Sequence, residues 1–267
     1  MVRQPVVAGQ FYTNDPSHLR EQLGEFVRGG GTQKKVLGAI VPHAGYVYSG
    51  SVAGSVYARV KIPQTVVVLG PNHHGMGSQA ALFPSGEWLT PLGNVTVNQP
   101  LSELLLKNSS LVEEDSIAHQ YEHSLEVQIP FLQYLRPDVT IVPICLAFID
   151  YASCKSLGIS LAKAIKEYGK DVLIIASSDM SHYEPDQVAR HEDHLAIREI
   201  LDMNPEGMFS VVKGRGITMC GIIPATVMLV AAIELGATKS ELVRYATSGD
   251  VSGDFQKVVG YAGVEVY

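Results

Sequence analysis

The chain has no apolar run of eighteen residues, and its opening residues, Met1-Val-Arg-Gln-Pro5, carry no long apolar core behind Arg3. Neither a membrane-spanning helix nor a cleavable leader is therefore expected. There is no run of five or six basic residues. The 20 Lys and Arg are outnumbered by 27 Asp and Glu, giving a net charge of -7 spread along the chain, so nucleic acid and membrane are not expected as partners. Cysteine is scarce. Cys145, Cys154 and Cys220 are odd in number and irregular in spacing, which argues against a disulfide framework and for a reducing compartment, with a cytoplasmic location as the expectation. Pro/Gly/Ser-rich linkers, low-complexity tracts and repeats of fixed period are missing too, so residues 1–267 are expected to form a single domain.

Several catalytic signatures are also lacking. The glycine-rich Gly70-Pro-Asn-His-His-Gly75 is not followed by Gly-Lys-Ser/Thr, which weakens a nucleotide-loop reading. Ser177-Ser-Asp-Met-Ser-His182 has no flanking glycines, as a serine nucleophile on a sharp strand-to-helix turn would need. His119-Gln-Tyr-Glu-His123 places two histidines four apart, the spacing of one helix face, but lacks the glutamate directly after the first histidine that zinc proteases use.

What remains is a soluble α/β pattern, 46% apolar and 18% charged. Residues 36–41, 65–69, 139–145 and 171–176 are short apolar runs rich in β-branched side chains, the signature of strands covered on both faces. Helical spacing or caps appear from Asp15-Pro16 to about 27, and at 49–60, 125–135, 156–168, 186–201 and about 224–235. Residues 242–247 and 258–266, separated by 249–254, read as a closing hairpin. The fold class predicted is α/β: one domain with a mixed central β-sheet flanked by helices.

Four histidine-bearing segments fall where strands end: Val41-Pro-His43-Ala-Gly-Tyr46, Gly70-Pro-Asn-His73-His74, Glu122-His123-Ser-Leu-Glu126 and Ser177-Ser-Asp179-Met-Ser-His182. Thr218-Met-Cys220-Gly221 is a further contributor. Loops leaving the carboxyl ends of neighbouring strands converge on one crevice, and imidazole and thiolate are ligands for transition metals. Adjacent side chains of an extended backbone point apart, so His73 is expected to ligate and His74 to orient or bind substrate. Tyr46 and Tyr48 could line a pocket with an apolar body and a hydroxyl. Asp179 could hold an imidazole in one tautomer and His182 could exchange protons. The ordinary alternatives are loop histidines bonded to backbone, packing tyrosines, a hydrogen-bonded helix start at Glu122 and Glu126, a solvated face for His191 and His194, and a buried structural thiol at Cys220.

Taken together, Val41-Pro-His43-Ala-Gly-Tyr-x-Tyr48-Ser-Gly, Leu69-Gly-Pro-x-His73-His74, Glu122-His123-Ser-Leu-Glu, Ser177-Ser-Asp179-x-Ser-His182, Cys220-Gly-x-x-Pro224 and the final Tyr-Ala repeats resemble the Memo protein family. Val7-Ala-Gly-Gln-Phe-Tyr12 matches its amino-terminal segment. The chain looks like a prokaryotic member, protein B of the AmmeMemoRadiSam system. The resemblance implies a fold shared with class III extradiol dioxygenases, with His43, His73 and Cys220 as metal ligands and His123, His182 and Asp179 in acid/base or substrate work. Cys220 stands where the dioxygenases have a glutamate ligand, a softer donor that shifts metal preference.

The function expected on this basis is a metal-dependent redox enzyme, dioxygenase-like, acting on a small aromatic or heterocyclic molecule. Fe(II) is the expected metal, with copper or zinc as alternatives. The other readings are a scaffold protein binding a peptide or phosphopeptide in the same pocket, and a zinc-dependent hydrolase. Association with a radical SAM protein is implied by the family name alone, and an oligomer is left open.

Overall fold

The computed structural model describes residues 1–29 and 31–267. Its elements run β1 (Val2–Arg3), α1 (Pro16–Phe26), β2 (Gly38–Val41), α2 (Tyr46–Tyr57), β3 (Thr65–Pro71), β4 (Ala80–Leu82), β5 (Glu87–Thr90), β6 (Gly93–Val97), α3 (Gln99–Asn108) and β7 (Glu113–Glu114). A 3-10 turn (Glu126–Gln128) then leads into α4 (Ile129–Leu135), β8 (Thr140–Leu146), α5 (Tyr151–Tyr168), β9 (Val172–Ser177), β10 (His182–Glu184), α6 (Asp186–Leu201), α7 (Pro205–Arg215), α8 (Ile222–Glu234), β11 (Ser240–Thr247), α9 (Gly249–Ser252) and β12 (Val258–Val266).

The strands form one mixed sheet in the order β1-β5-β6-β8-β3-β9-β2-β12-β10, with β11 on β12 and β4 joining β8 to β7. The centre, β8-β3-β9-β2, is parallel, and β2, β3 and β9 are buried along their whole length. Successive strand side chains face opposite layers. Ile40, Val67 and Leu69 pack with α3, α5, α6, α7 and α8, whereas Ala39, Val41, Val66 and Val68 pack with α1, α2 and α4. This is the doubly covered parallel sheet that the unbroken Val/Ile runs predict. Helix starts follow the caps: Asp15 and Asp150 accept the backbone N–H of His18 and Ser153, each three residues on.

The structure adds elements to those expected and overturns one expectation. Residues 80–114, unassigned from sequence, carry β4 to β7 and α3. The closing hairpin expected from residues 242–247 and 258–266 forms as β11 paired antiparallel with β12, with the short helix α9 in its connection. Finally, His119 and His123 do not share a helix face, because residues 115–125 form turns and helical structure begins at Glu126. Asp115 starts those turns by accepting the backbone N–H of Ser78 and Ile117, both at 2.6 Å.

The amino-terminal segment is tied to that turn region by a buried ion pair. Arg3 meets Glu126 at 2.8 Å with side-chain exposures of 4% and 1%. It also donates to the carbonyls of His119 and Glu122 and lies 4.1 Å from the Trp88 ring centroid. Glu126 accepts from Val6 N, Val7 N and the Tyr12 hydroxyl. Removing one member of such a pair strands the other without solvent. Glu126→Ala should therefore cost about 3–5 kcal/mol of stability, read by urea denaturation. A cost below about 1 kcal/mol, typical of an exposed pair, would contradict this account.

Candidate metal centre

The registers bring three strand ends side by side, with Val41 opposite Ser177 and Leu69 opposite Ala176. Sequence places the end of the second strand at residue 69, but β3 continues to Pro71. His43, His73 and Asp179 thus each stand two residues beyond their strands. A fourth segment, residues 119–128, crosses this edge and delivers His123. The ring centroids of His43, His73 and His123 lie 5.3, 5.7 and 4.8 Å apart. One nitrogen from each falls within a 4.8 Å group that can hold a metal ion. His43 is buried, while the side chains of His73 and His123 are 29% and 21% exposed, so the group opens to solvent on their side.

Partners on the far side fix how two rings present themselves. Ser177 Oγ donates to the Ser124 carbonyl at 2.7 Å and accepts from Gln128 Nε2 at 2.8 Å. The Gln128 amide cannot be turned round, because Nε2 also faces the Pro42 carbonyl and Oε1 accepts from the Tyr57 hydroxyl. With its single proton spent, Ser177 must accept from His43 Nδ1–H at 2.9 Å, which leaves the lone pair on Nε2. His73 is held similarly. Glu122, fully buried, accepts its backbone N–H at 2.7 Å and its Nδ1–H at 2.9 Å. Carboxylate or hydroxyl behind the imidazole is the usual arrangement around a metal, since it sets tautomer and ring orientation.

Electrostatics agree. Burial, reinforced by His73 and His123, lowers the His43 pKa well below the usual imidazole value. Burial likewise lowers His123 to about 4. Both rings are therefore neutral at pH 7, as ligation requires. Burial pushes the Glu122 carboxyl up, but hydrogen bonds from His73 and Ser124 outweigh it and hold the group well below the carboxylate range, so it stays an acceptor.

Cys220 borders the group. Its Sγ is 3.4 Å from His43 Nε2, receives the Asp179 N–H at 3.3 Å and lies 3.6 Å from the Asp179 carbonyl. Burial pushes its thiol pKa up, and the Asp179 carboxylate adds to this. Gly221 allows this approach, because a Cβ there would sit 2.3 Å from that of Ser178 and 2.6 Å from the Ser177 carbonyl. Asp179 is buried, and burial raises its carboxyl although Oδ1 accepts the His43 N–H at 2.8 Å. The compact group thus consists of His43, His73 and His123, with Cys220 beside it.

The other residues singled out from sequence separate clearly. Asn72 closes the turn after β3 by accepting from Gly75 N at 2.8 Å and donating to Met76 O at 2.7 Å. Gly75 has φ +63° there, a conformation glycine adopts without strain. His73 turns inward and His74 is exposed, 6.3 Å from the Tyr121 ring. Tyr48 is 40% exposed on the first turn of α2. Tyr46 is a correction: its ring is buried against Tyr12 and Phe131, and its hydroxyl donates to the Val127 carbonyl, so it packs the core instead of meeting substrate. His182 lies outside the group. Its Nδ1 donates to the Thr218 carbonyl at 3.0 Å, and Nε2 has no hydrogen-bond partner among the described residues. His119 is buried between Phe83 and Trp88 with Nε2 on the Ala81 carbonyl, while His191 and His194 are exposed. Glu122, Ser177 and Gln128 were not recognised from sequence as supports of the site. The only local hint was a glutamate directly before His123.

Fold and site together describe an α/β protein with a histidine cluster at its strand ends. The Memo-like protein profile matches residues 3–265, and the chain belongs to the Memo family. It is 46% identical to a MEMO1 family protein of Methanococcoides burtonii over 99% of this chain and 100% of that one. It is 42% identical to another from Methanothermobacter thermautotrophicus, covering 98% and 99%. Among solved structures, an uncharacterized protein of Escherichia coli K12 superposes with a TM-score of 0.55 at 12% identity, covering 86% of this chain and 99% of that one. That likeness is one of fold. No helix among the described residues is long and apolar enough to cross a membrane.

If Glu122 orients His73 for a metal, Glu122→Gln should weaken metal affinity by about 10–100-fold. Competition with a chelator of known affinity measures this directly. Unchanged affinity in a folded variant would remove Glu122 from the site.

Proposed function

We propose that the protein is a metal-dependent redox enzyme of dioxygenase-like type, acting on a small aromatic or heterocyclic molecule. The observation that carries this reading is the meeting of His43, His73 and His123 within 4.8 Å, with two of the rings oriented from behind. Fe(II) is the proposed metal, with copper or zinc compatible with the same donors. When bound, such an ion supplies redox chemistry and substrate coordination that no side chain here can provide.

The chain's own residues have distinct tasks in this scheme. His43 and His73 present Nε2, His123 or Cys220 completes the donor set, and Glu122 and Ser177 keep the rings aligned. His182 Nε2, without a hydrogen-bond partner among the described residues while Nδ1 is engaged with Thr218, takes or returns the substrate's hydroxyl or amide proton. Asp179 keeps the His43 backbone in place. The Phe11 ring, its centroid 4.9 Å from that of His123, gives an aromatic substrate an apolar wall, and Tyr48 and His74 stand on the exposed rim.

An all-imidazole group favours a second reading, hydrolysis assisted by zinc, since three histidines with one open position suit that ion. The peptide-binding alternative gains less: the basic residues nearest Cys220 in sequence, Lys213 and Arg215, are engaged with the Phe148 ring and with Glu192 and form no cluster of arginines around the histidines.

Oxygen separates the first two readings. Protein loaded anaerobically with Fe(II) and then exposed to oxygen should consume it in the presence of catechols, phenols or indoles. The uptake should disappear with chelator or in His73→Ala. No metal-dependent uptake with any of these substrates would defeat the redox proposal.

A further inference from the structure

A second concave site lies at the opposite end of the sheet. The loops entering β2, β9 and β3, three neighbouring parallel strands, enclose with the end of α4 a cavity of about 330 Å³. Its lining includes Lys35, Lys61, Arg136 and Lys170, four cations from four chain segments, against one carboxylate, Asp171. Such convergence is unusual in a chain whose net charge is -7, and a concave basic surface concentrates anions. The floor is apolar: Val36, Ile62 and Val172 are 4%, 6% and 4% exposed.

Two of the four cations are in exposed ion pairs and two are not. Among the described residues, Lys61 and Lys170 form no ion pair. Lys35 meets Asp171 at 2.6 Å, but both side chains are more than 60% exposed, and a pair in that setting contributes little. Arg136 is paired with Asp138 through contacts of 2.8 and 3.2 Å, with its Nη1 3.5 Å from the Ile62 carbonyl; both side chains of the pair are exposed, so it contributes little and an incoming phosphate can compete for the guanidinium.

We propose that this cavity binds a small organic phosphate of nucleoside diphosphate type. Lys35, Lys61, Lys170 and Arg136 take the phosphates, and Val36, Ile62 and Val172 take the apolar body. A basic rim over an apolar floor matches an anionic group attached to a ring better than a bare anion, and the volume lies at the lower end of the range for small-ligand pockets. Amino ends of parallel strands are not where α/β sheets place catalysis, so the site is a binding site remote from the histidines.

Calorimetric titration tests this with ADP, pyrophosphate and adenosine, in chelator-treated protein so that the phosphates cannot act through metal. ADP should bind saturably and more weakly as salt is raised, pyrophosphate about tenfold more weakly than ADP, and adenosine not at all. Lys61→Glu/Lys170→Glu, which changes two exposed side chains, should lower ADP affinity at least about tenfold with the circular dichroism spectrum unchanged. His73→Ala should leave ADP binding intact. No ADP binding, equal binding of pyrophosphate, affinity unaltered in the double variant, or loss in His73→Ala would each overturn the proposal.

Discussion

Three imidazoles whose ring centroids lie 4.8 to 5.7 Å apart repel one another when more than one is protonated, so a cluster that holds a metal needs neutral rings with their lone pairs turned inward. Burial supplies the first condition for His43 and His123, whose protonation is disfavoured. Hydrogen bonds from behind supply the second. Ser177 has only one proton, already given to the Ser124 carbonyl, and therefore draws Nδ1–H from His43. Glu122 does the same to His73 as a charged acceptor, the stronger kind. The whole environment, from Gln128 to Pro42, serves to make these choices unambiguous.

The fold meets this constraint economically. Parallel pairing of β2, β9 and β3 puts three strand ends in line, but it cannot supply His123, which comes from turns lacking regular structure. That segment needs an anchor, and its two glutamates divide the work. Glu122 faces the histidines, while Glu126, four residues on, faces Arg3, Tyr12 and the backbone of residues 6 and 7. The same anchor brings Phe11 against His123. Stability of the amino-terminal segment and geometry of the site are thus coupled through neighbouring carboxylates.

Much of this was legible in the chain. Continuous Val/Ile runs identify strands covered on both faces, because neither face can tolerate polar groups, and a histidine shortly after three of the four runs marks the strand-end crevice. Residues 80–114 were not legible because β5 and β6 are short and partly exposed, with alternating burial too brief to stand out. The capping signals of α3, Asn98 and Pro100, were nevertheless present. The spacing of His119 and His123 suggested a helix, but tertiary contacts override local periodicity: Arg3 holds the carbonyls of residues 119 and 122. The pocket role expected of Tyr46 failed for a related reason, since sequence cannot say which tyrosine of a helix faces the core. Glu122 was invisible as a support because its partner, His73, is 49 residues away.

Membership of the Memo family is established by similarity along nearly the whole chain, and the donor arrangement gives that membership a chemical meaning. Everything functional rests on the cluster holding a metal through imidazole nitrogen. X-ray absorption at the metal edge of the purified, metal-loaded protein tests this most directly. The account predicts one ion per chain coordinated by at least two imidazoles, with His43→Ala and His73→Ala each abolishing the signal. Absence of bound metal after loading, or a shell without imidazole, would contradict it.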